Sequence, residues 1–210
     1  GASRFHMIHL TIPGELDVMG ASLLTSNRVA IGFNKNIAWT HTVSTAKRFT
    51  LYQLKLNPSN PFQYEYDGAY RTMEKRSVNV RVAASQGELA NQTHETYFTH
   101  FGPVIESKAL PWGSKTAYTM RDAVVDNYLT AATYDAMSKA ESTADVEAAI
   151  SQQGVYWTNT IAADRQGNAF YADISGTPNI DQKLIDRCQI QLPESMSGLI
   201  LLRGDDSSCE

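Results

Sequence analysis

The chain has 210 residues, enough for one large domain or two small ones, and its 42% hydrophobic and 10% aromatic content can build a sizeable core. The formal net charge is −4, with no basic block or Arg/Lys stripe, which argues against nucleic acid and anionic membrane as partners. No apolar run approaches the roughly 20 residues needed to cross a bilayer. The opening Gly1-Ala2-Ser3-Arg4-Phe5 has neither a charged leader nor an apolar h-region, so the reading is that a leader has been removed or that the chain belongs to something longer.

The first half reads as strands. Arg4–Ile12 ends at the Pro13-Gly14 turn, and Leu16–Leu24 and Val29–Phe33 are apolar runs of strand length. Ile37–Val43 follows the short Asn34-Lys35-Asn36 connection, as in a hairpin. Alternation then becomes explicit. Tyr52, Leu54 and Leu56 point one way and Gln53 and Lys55 the other; Phe62, Tyr64 and Tyr66 alternate with Gln63 and Glu65 before an Asp67-Gly68 turn; Val78, Val80 and Val82 alternate with Asn79 and Arg81. This is the pattern of antiparallel sheet with one wetter face.

Helices come later. Asp126 is a candidate cap for a helix through about Ala140, with Leu129, Ala132, Ala136 and Met137 on its buried face. Ser142-Thr143-Ala144-Asp145 resembles a capping box opening a second helix over 143–154, with Val146, Ala149 and Ile150 buried and Gly154 as its stop. Trp157–Asp164 and Asn168–Asp173 form a hairpin around Arg165-Gln166-Gly167, and from about Ser175 the pattern turns loop-like. The expectation is a single α+β domain over 1–210, mainly antiparallel sheet with two or more helices.

Motifs of chemistry are sparse. His6 and His9 lie three apart on a strand and face opposite sides, so they cannot share a metal there. His41, between Thr40 and Thr42, reads as a hydrogen-bonded strand residue, and His94 and His100, flanking Tyr97-Phe98, as residues of a polar strand face. There is no HExxH, CxxC, acidic calcium loop, G-x-S-x-G elbow or phosphate-cradling glycine loop, and no cofactor or metal is expected. Asn91-Gln92-Thr93 and Arg203-Gly204-Asp205 match short motifs at the rate chance allows. Cys188 and Cys209 are either two separate thiols or a bridge. Their turn-rich context favours the bridge, which would close a loop of about 20 residues, contribute roughly 3 kcal/mol and point to an oxidising compartment.

Two segments carry a resemblance. His9-Leu10-Thr11-Ile12-Pro13-Gly14 with Val18-Met19-Gly20-Ala21-Ser22-Leu23, and Ile31-Gly32-Phe33-Asn34-Lys35-Asn36-Ile37-Ala38-Trp39-Thr40-His41-Thr42-Val43, resemble the early β-chain of the penicillin acylase family, in the branch of acyl-homoserine-lactone and aculeacin-type acylases. Gly102-Pro103-Val104, Tyr118-x-x-Arg121-Asp122, Trp157-x-Asn159-Thr160 and Ala163-Asp164-x-x-Gly167-Asn168 extend it, in order, over most of the chain. The resemblance implies part of an N-terminal-nucleophile hydrolase, an αββα sandwich matured by self-cleavage. In that family the β-chain begins with a serine whose hydroxyl attacks an acyl amide while its own α-amine takes the proton.

Gly1 aligns a few dozen residues after that serine, Ser3 does not match it, and a second oxyanion donor, an asparagine side chain, is expected beyond Glu210. The expectation is therefore a β-chain fragment without activity of its own, completed by the rest of the precursor, acting on a small N-acyl substrate in the periplasm or outside the cell. By the resemblance, Val43 supplies a backbone N–H to the oxyanion hole, and Trp157 and Tyr134 match acyl-pocket wall positions. Leu24-Thr25-Ser26-Asn27-Arg28 departs from a Pro-Gly-x-Pro turn of the family, which leaves that pocket rim open. The runners-up are a penicillin-G-type acylase, disfavoured because Ser44–Arg48 lacks the carboxylate that branch often uses for calcium, and a non-catalytic antiparallel-sheet binding module.

Overall fold

The computed structural model describes residues 4–24, 26–84, 87–192, 194–196 and 198–210; Gly1, Ser3 and Thr25 lie outside them. The chain falls into two compact units interleaved in sequence, one running through Arg48 and resuming over Val124–Thr177, the other formed by Phe49–Ala123 and Pro178–Glu210.

The first unit holds a six-stranded antiparallel sheet ordered β1 (Phe5–Ile12), β2 (Leu16–Leu23), β3 (Ile31–Phe33), β4 (Ile37–Val43), β12 (Thr158–Asp164) and β13 (Ala169–Asp173). Register explains which face is buried. Directly opposed residues share a face, so the row Gly20, Gly32, Trp39, Ala162, Phe170 runs across five strands on one side. That side packs with Val18, Val29 and Ile37 against two helices, α1 (Thr130–Ser138) and α2 (Thr143–Ile150), through Met137, Val146, Ala149 and Ile150. Gly20 and Gly32 are required there: a Cβ on either would come within 2.8 Å of the Val29 side chain, which lies fully buried over the pair. The opposite face carries Phe5, Met7, Met19, Phe33, Ile161 and Tyr171, all between 37% and 65% exposed.

The helices depart from their sequence signals in instructive ways. α1 begins at Thr130, not after Asp126, because the Asn127 carboxamide takes the Leu129 N–H in a turn that precedes the helix. Its buried face is Thr133 and Met137, whereas Leu129, Ala132 and Ala136 are exposed. The capping box at Ser142 and Asp145 is present in both directions. α2 nevertheless stops at Ile150, and Gln153, at φ +58°, takes the left-handed turn expected of Gly154. Gly154 is glycine for closeness instead, since a Cβ would stand 2.0 Å from Thr133 Oγ1 and 2.6 Å from the Leu129 carbonyl. Asp164 explains its own motif: its carboxylate accepts from the Gln166 and Asn168 backbones, the Asn168 side chain and Thr143 at the start of α2. The Asn168 amide and then these backbone donors outweigh burial and hold its pKa down at about 2.

The second unit is organised on β5 (Phe49–Asn57), in a sheet ordered β10 (Val104–Ile105), β11 (Thr116–Asp122), β5, β6 (Asn60–Tyr66), β7 (Ala69–Thr72). Tyr52, Leu54 and Leu56 face one core with Tyr64, Tyr66 and Phe101, as the alternation predicts. Phe62 does not: it is 42% exposed and stacks on Tyr97. A further strand, β14 (Ile200–Arg203), joins β5 in parallel, and α3 (Gln182–Cys188), capped by Asp181, lies in the stretch read as loop. β8 (Glu74–Ala83) and β9 (Leu89–Phe98) form a separate two-stranded hairpin. Cys188 and Cys209 are joined in a buried disulfide. Next to it, Glu210 accepts from Tyr66 Oη at 2.6 Å and from Arg121, with His100 Nε2 at 3.6 Å. His100 is therefore no residue of a polar strand face; it sits half-buried between Tyr64, Tyr66 and Phe101. Burial, with Arg71 and Arg121 nearby, lowers its pKa against the pull of Glu210.

Candidate functional site

The end of β4 is where the first unit concentrates polar order. Along this strand the side chains of Ile37, Trp39, His41 and Val43 share the helix face and pass from buried to exposed, with Val43 69% exposed at the tip. Antiparallel pairs alternate between residues that exchange hydrogen bonds and residues that do not. Arg165 N–H donates to the Asn36 carbonyl (2.8 Å) and Ser44 N–H to the Trp157 carbonyl (3.0 Å). The pairs Ile37–Asp164 and Val43–Thr158 that these bonds flank are therefore of the non-bonded kind. The Val43 N–H consequently faces away from β12, towards the side of β3. On β4, β3 pairs only with Trp39 and Ala38, and it begins at Ile31, so among the described residues no strand meets that N–H.

Just below, His41 Nδ1 lies 3.1 Å from Thr160 Oγ1, and Tyr134 on α1 meets the imidazole edge-on, ring centroids 6.0 Å apart. The ring is the hydrogen-bonded strand residue that its setting suggests, but its Nε2 is buried without a partner among the described residues. Burial, with no counter-charge, pushes its pKa down to about 4. Tyr134 is half-buried, and burial raises its pKa.

Trp157 lies just before β12, and its carbonyl accepts from the Ser44 N–H. Its indole N–H donates to the Ala46 carbonyl at 2.9 Å, and the Arg48 guanidinium lies over the Tyr156 and Trp157 rings at 4.4 and 5.8 Å. Its φ of +81° is an outlier for an aromatic residue. Asn159 Nδ2 reaches Thr42 Oγ1 (3.1 Å) and the Val43 carbonyl (3.3 Å), and Tyr171 Oη donates to Asn159 Oδ1 (2.8 Å). The structure thus places Val43 and His41 on β4, Tyr134 on α1 against His41, and Trp157 just before β12 with its carbonyl bound to Ser44, all within the first unit. Cys188 and Cys209 belong to the second unit. On the 24–28 rim, Arg28 pairs bidentately with Asp135 at 2.8 and 3.0 Å.

Other candidates lose weight on inspection. A hollow of about 450 Å³ bordered by Glu15, Asp17, Lys35 and Lys139 sits at the Ile37 end of β4, about 20 Å along the strand from Val43. Arg203 and Asp205 bind each other at 3.0 and 3.1 Å and Gly204 N–H donates to Gln53, so the Arg-Gly-Asp tripeptide is not displayed as a free loop. Asn91 and Thr93 lie inside β9, with the Thr93 hydroxyl on Asn79 at 2.7 Å.

The chain belongs to the penicillin amidase family, whose sequence model matches residues 1–210. It is 40% identical over 212 residues to the acyl-homoserine lactone acylase PvdQ of Pseudomonas putida, covering all of this chain and 27% of that protein. It is 35% identical over 214 residues to the aculeacin-A acylase of Actinoplanes utahensis, again over 27% of that protein. The chain therefore spans about a quarter of the length of these relatives. The thermostable penicillin G acylase of Alcaligenes faecalis superposes with a TM-score of 0.74 at 24% identity, over 99% of this chain and 34% of that one, and shows a common fold.

Proposed function

We propose that these residues are part of an N-acyl amide hydrolase that cleaves the acyl amide of acyl-homoserine lactones or related N-acyl compounds. In this reading Val43 contributes its backbone N–H to the oxyanion hole, and Trp157 and Tyr134 wall the acyl pocket. The observation that carries it is the outward N–H at the tip of β4: a donor turned where no strand among the described residues meets it can stabilise the charge that develops on a carbonyl oxygen in the transition state. The nucleophilic serine, its α-amine base and the second donor come from polypeptide outside these 210 residues, and the chemistry needs neither metal nor cofactor. The apolar face bearing Met19, Phe33, Ile161 and Tyr171 supports the same view, since the second sheet of an αββα sandwich would cover it. A periplasmic or secreted location is supported by the disulfide. Membership of the family and the names of the relatives weigh against a non-catalytic binding module, and assays on acyl-homoserine lactones and penicillin G side by side separate the two acylase readings.

The test uses the complete, processed enzyme. Val43→Ala keeps most of kcat, because the side chain is not the working group. Val43→Pro removes the donor and lowers kcat about 10²–10³-fold. Since proline can also harm a strand, self-cleavage and melting temperature are followed together; a processed, folded Val43→Pro enzyme with normal turnover refutes the role. The 210 residues purified alone are expected to hydrolyse no N-acyl substrate, and turnover that co-purifies with them would refute that.

A further inference from the structure

We propose that Ser44 is a positioning residue for the Val43 N–H, working with Asp173 and the strained backbone of Trp157 as a clamp; this rests on Val43 being the oxyanion donor. A backbone donor cannot be aimed by its own side chain. Its direction is set by the Thr42–Val43 peptide plane, which is joined through the φ and ψ of Val43 to the plane that follows, so anchoring the segment after Val43 limits how far the donor can swing.

Residues 44–48 form no regular element, yet the segment is held at several points. Ser44 is 3% exposed. Its Oγ donates to Asp173 Oδ2 at 2.7 Å and accepts from the Ala46 N–H at 3.0 Å. Its own N–H donates to the Trp157 carbonyl at 3.0 Å, while the Trp157 indole donates to the Ala46 carbonyl at 2.9 Å. Asp173 is steadied in turn by the Ser175 hydroxyl on its other oxygen. The clamp thus takes Asp173 from the end of β13 and Trp157 from just before β12, and closes them on Ser44 and Ala46, the first and third residues after Val43.

Trp157 supplies the independent sign that this geometry is imposed. An aromatic residue at φ +81° persists only where its surroundings over-determine it. Its surroundings include the hydrogen bonds to Ser44 and Ala46, and these two share the placement of the peptide after Val43. A residue kept only as a pocket wall needs no such backbone.

The clamp is tested in the complete, processed enzyme with Ser44→Ala, Ser44→Thr and Asp173→Asn. Turnover is measured on N-acyl substrates of three chain lengths, and binding on an alkylboronic acid, which forms a tetrahedral adduct with a serine nucleophile, and on the free fatty acid. Ser44→Ala is expected to lower kcat about tenfold, less than outright loss of a donor, by a similar factor at every chain length and with KM nearly unchanged. Boronic acid affinity falls in parallel, fatty acid affinity does not, and Ser44→Thr restores both. Asp173→Asn, which keeps the shape and one acceptor, shows the same pattern more weakly and serves as the readable variant if Ser44→Ala fails to mature. Wild-type kcat in a folded Ser44→Ala or Asp173→Asn enzyme overturns the clamp, as does a loss confined to KM or to one chain length. If Val43→Pro is inactive while Ser44→Ala is normal, the clamp alone is wrong; if Val43→Pro turns over normally, the donor reading has failed first.

Discussion

Replacing His41 with phenylalanine should make the protein less sensitive to acid. The imidazole is largely buried, touches the Thr160 hydroxyl through Nδ1 and the Tyr134 ring by its edge, and its pKa is pushed down to about 4 by burial. In the unfolded chain it returns to about 6.5. Between these values the unfolded state binds the extra proton, so stability rises with pH across that window and falls as pH drops through it. A difference of about 2.5 pH units is worth about 3 kcal/mol at full extent, and about 2.5 kcal/mol of it is already lost at pH 4.5. For a chain of 210 residues 1 kcal/mol moves Tm by about 2–4 °C, so His41 accounts for about 5–10 °C of the fall in Tm between neutral pH and pH 4.5. Phenylalanine preserves the ring contact with Tyr134 and leaves Thr160 short of a partner, so Tm at neutral pH is equal to wild type or somewhat lower. The assay is calorimetric unfolding of both proteins at a series of pH values, and the quantity compared is the slope of Tm against pH. Parallel curves for wild type and His41→Phe between pH 7 and 4.5 would refute the reasoning, because they would mean that His41 is solvated or paired when folded.

Gly154→Ala is expected to destabilise the first unit by about 1–3 kcal/mol, since the new methyl would collide with Thr133 and the Leu129 carbonyl; an unchanged Tm in thermal unfolding would show that the turn yields freely. Replacing Cys188 and Cys209 together by alanine removes a cross-link spanning 21 positions, which the loop-closure estimate values at about 3 kcal/mol, and lowers Tm accordingly. Equal unfolding curves with and without reductant would contradict that.

Much of the architecture is local in origin and therefore legible along the chain. Period-2 runs such as Tyr52, Leu54 and Leu56 become strands because one face of the pleat is dry. Ser142 with Asp145 opens a helix because both partners of the capping box lie within one turn. The order of short motifs suffices for the family, and with it the general fold. What the tertiary structure alone decides depends on residues far apart in sequence. Gly154 reads as a helix stop from its neighbours and proves to be a contact with α1. β14 pairs with β5 in parallel from about 150 positions away, and α3 survives in a polar stretch because Leu184 and Cys188 reach the second core. The same holds at the candidate site: Val43 is named by its motif, but the side to which its N–H faces follows from the register with β12, and the neighbouring Ser44 is bound to Asp173 at a separation of 129 residues. Hydrogen bonds between such distant partners leave no periodicity in the sequence, so only the folded chain shows to which side of the strand a given backbone N–H is turned.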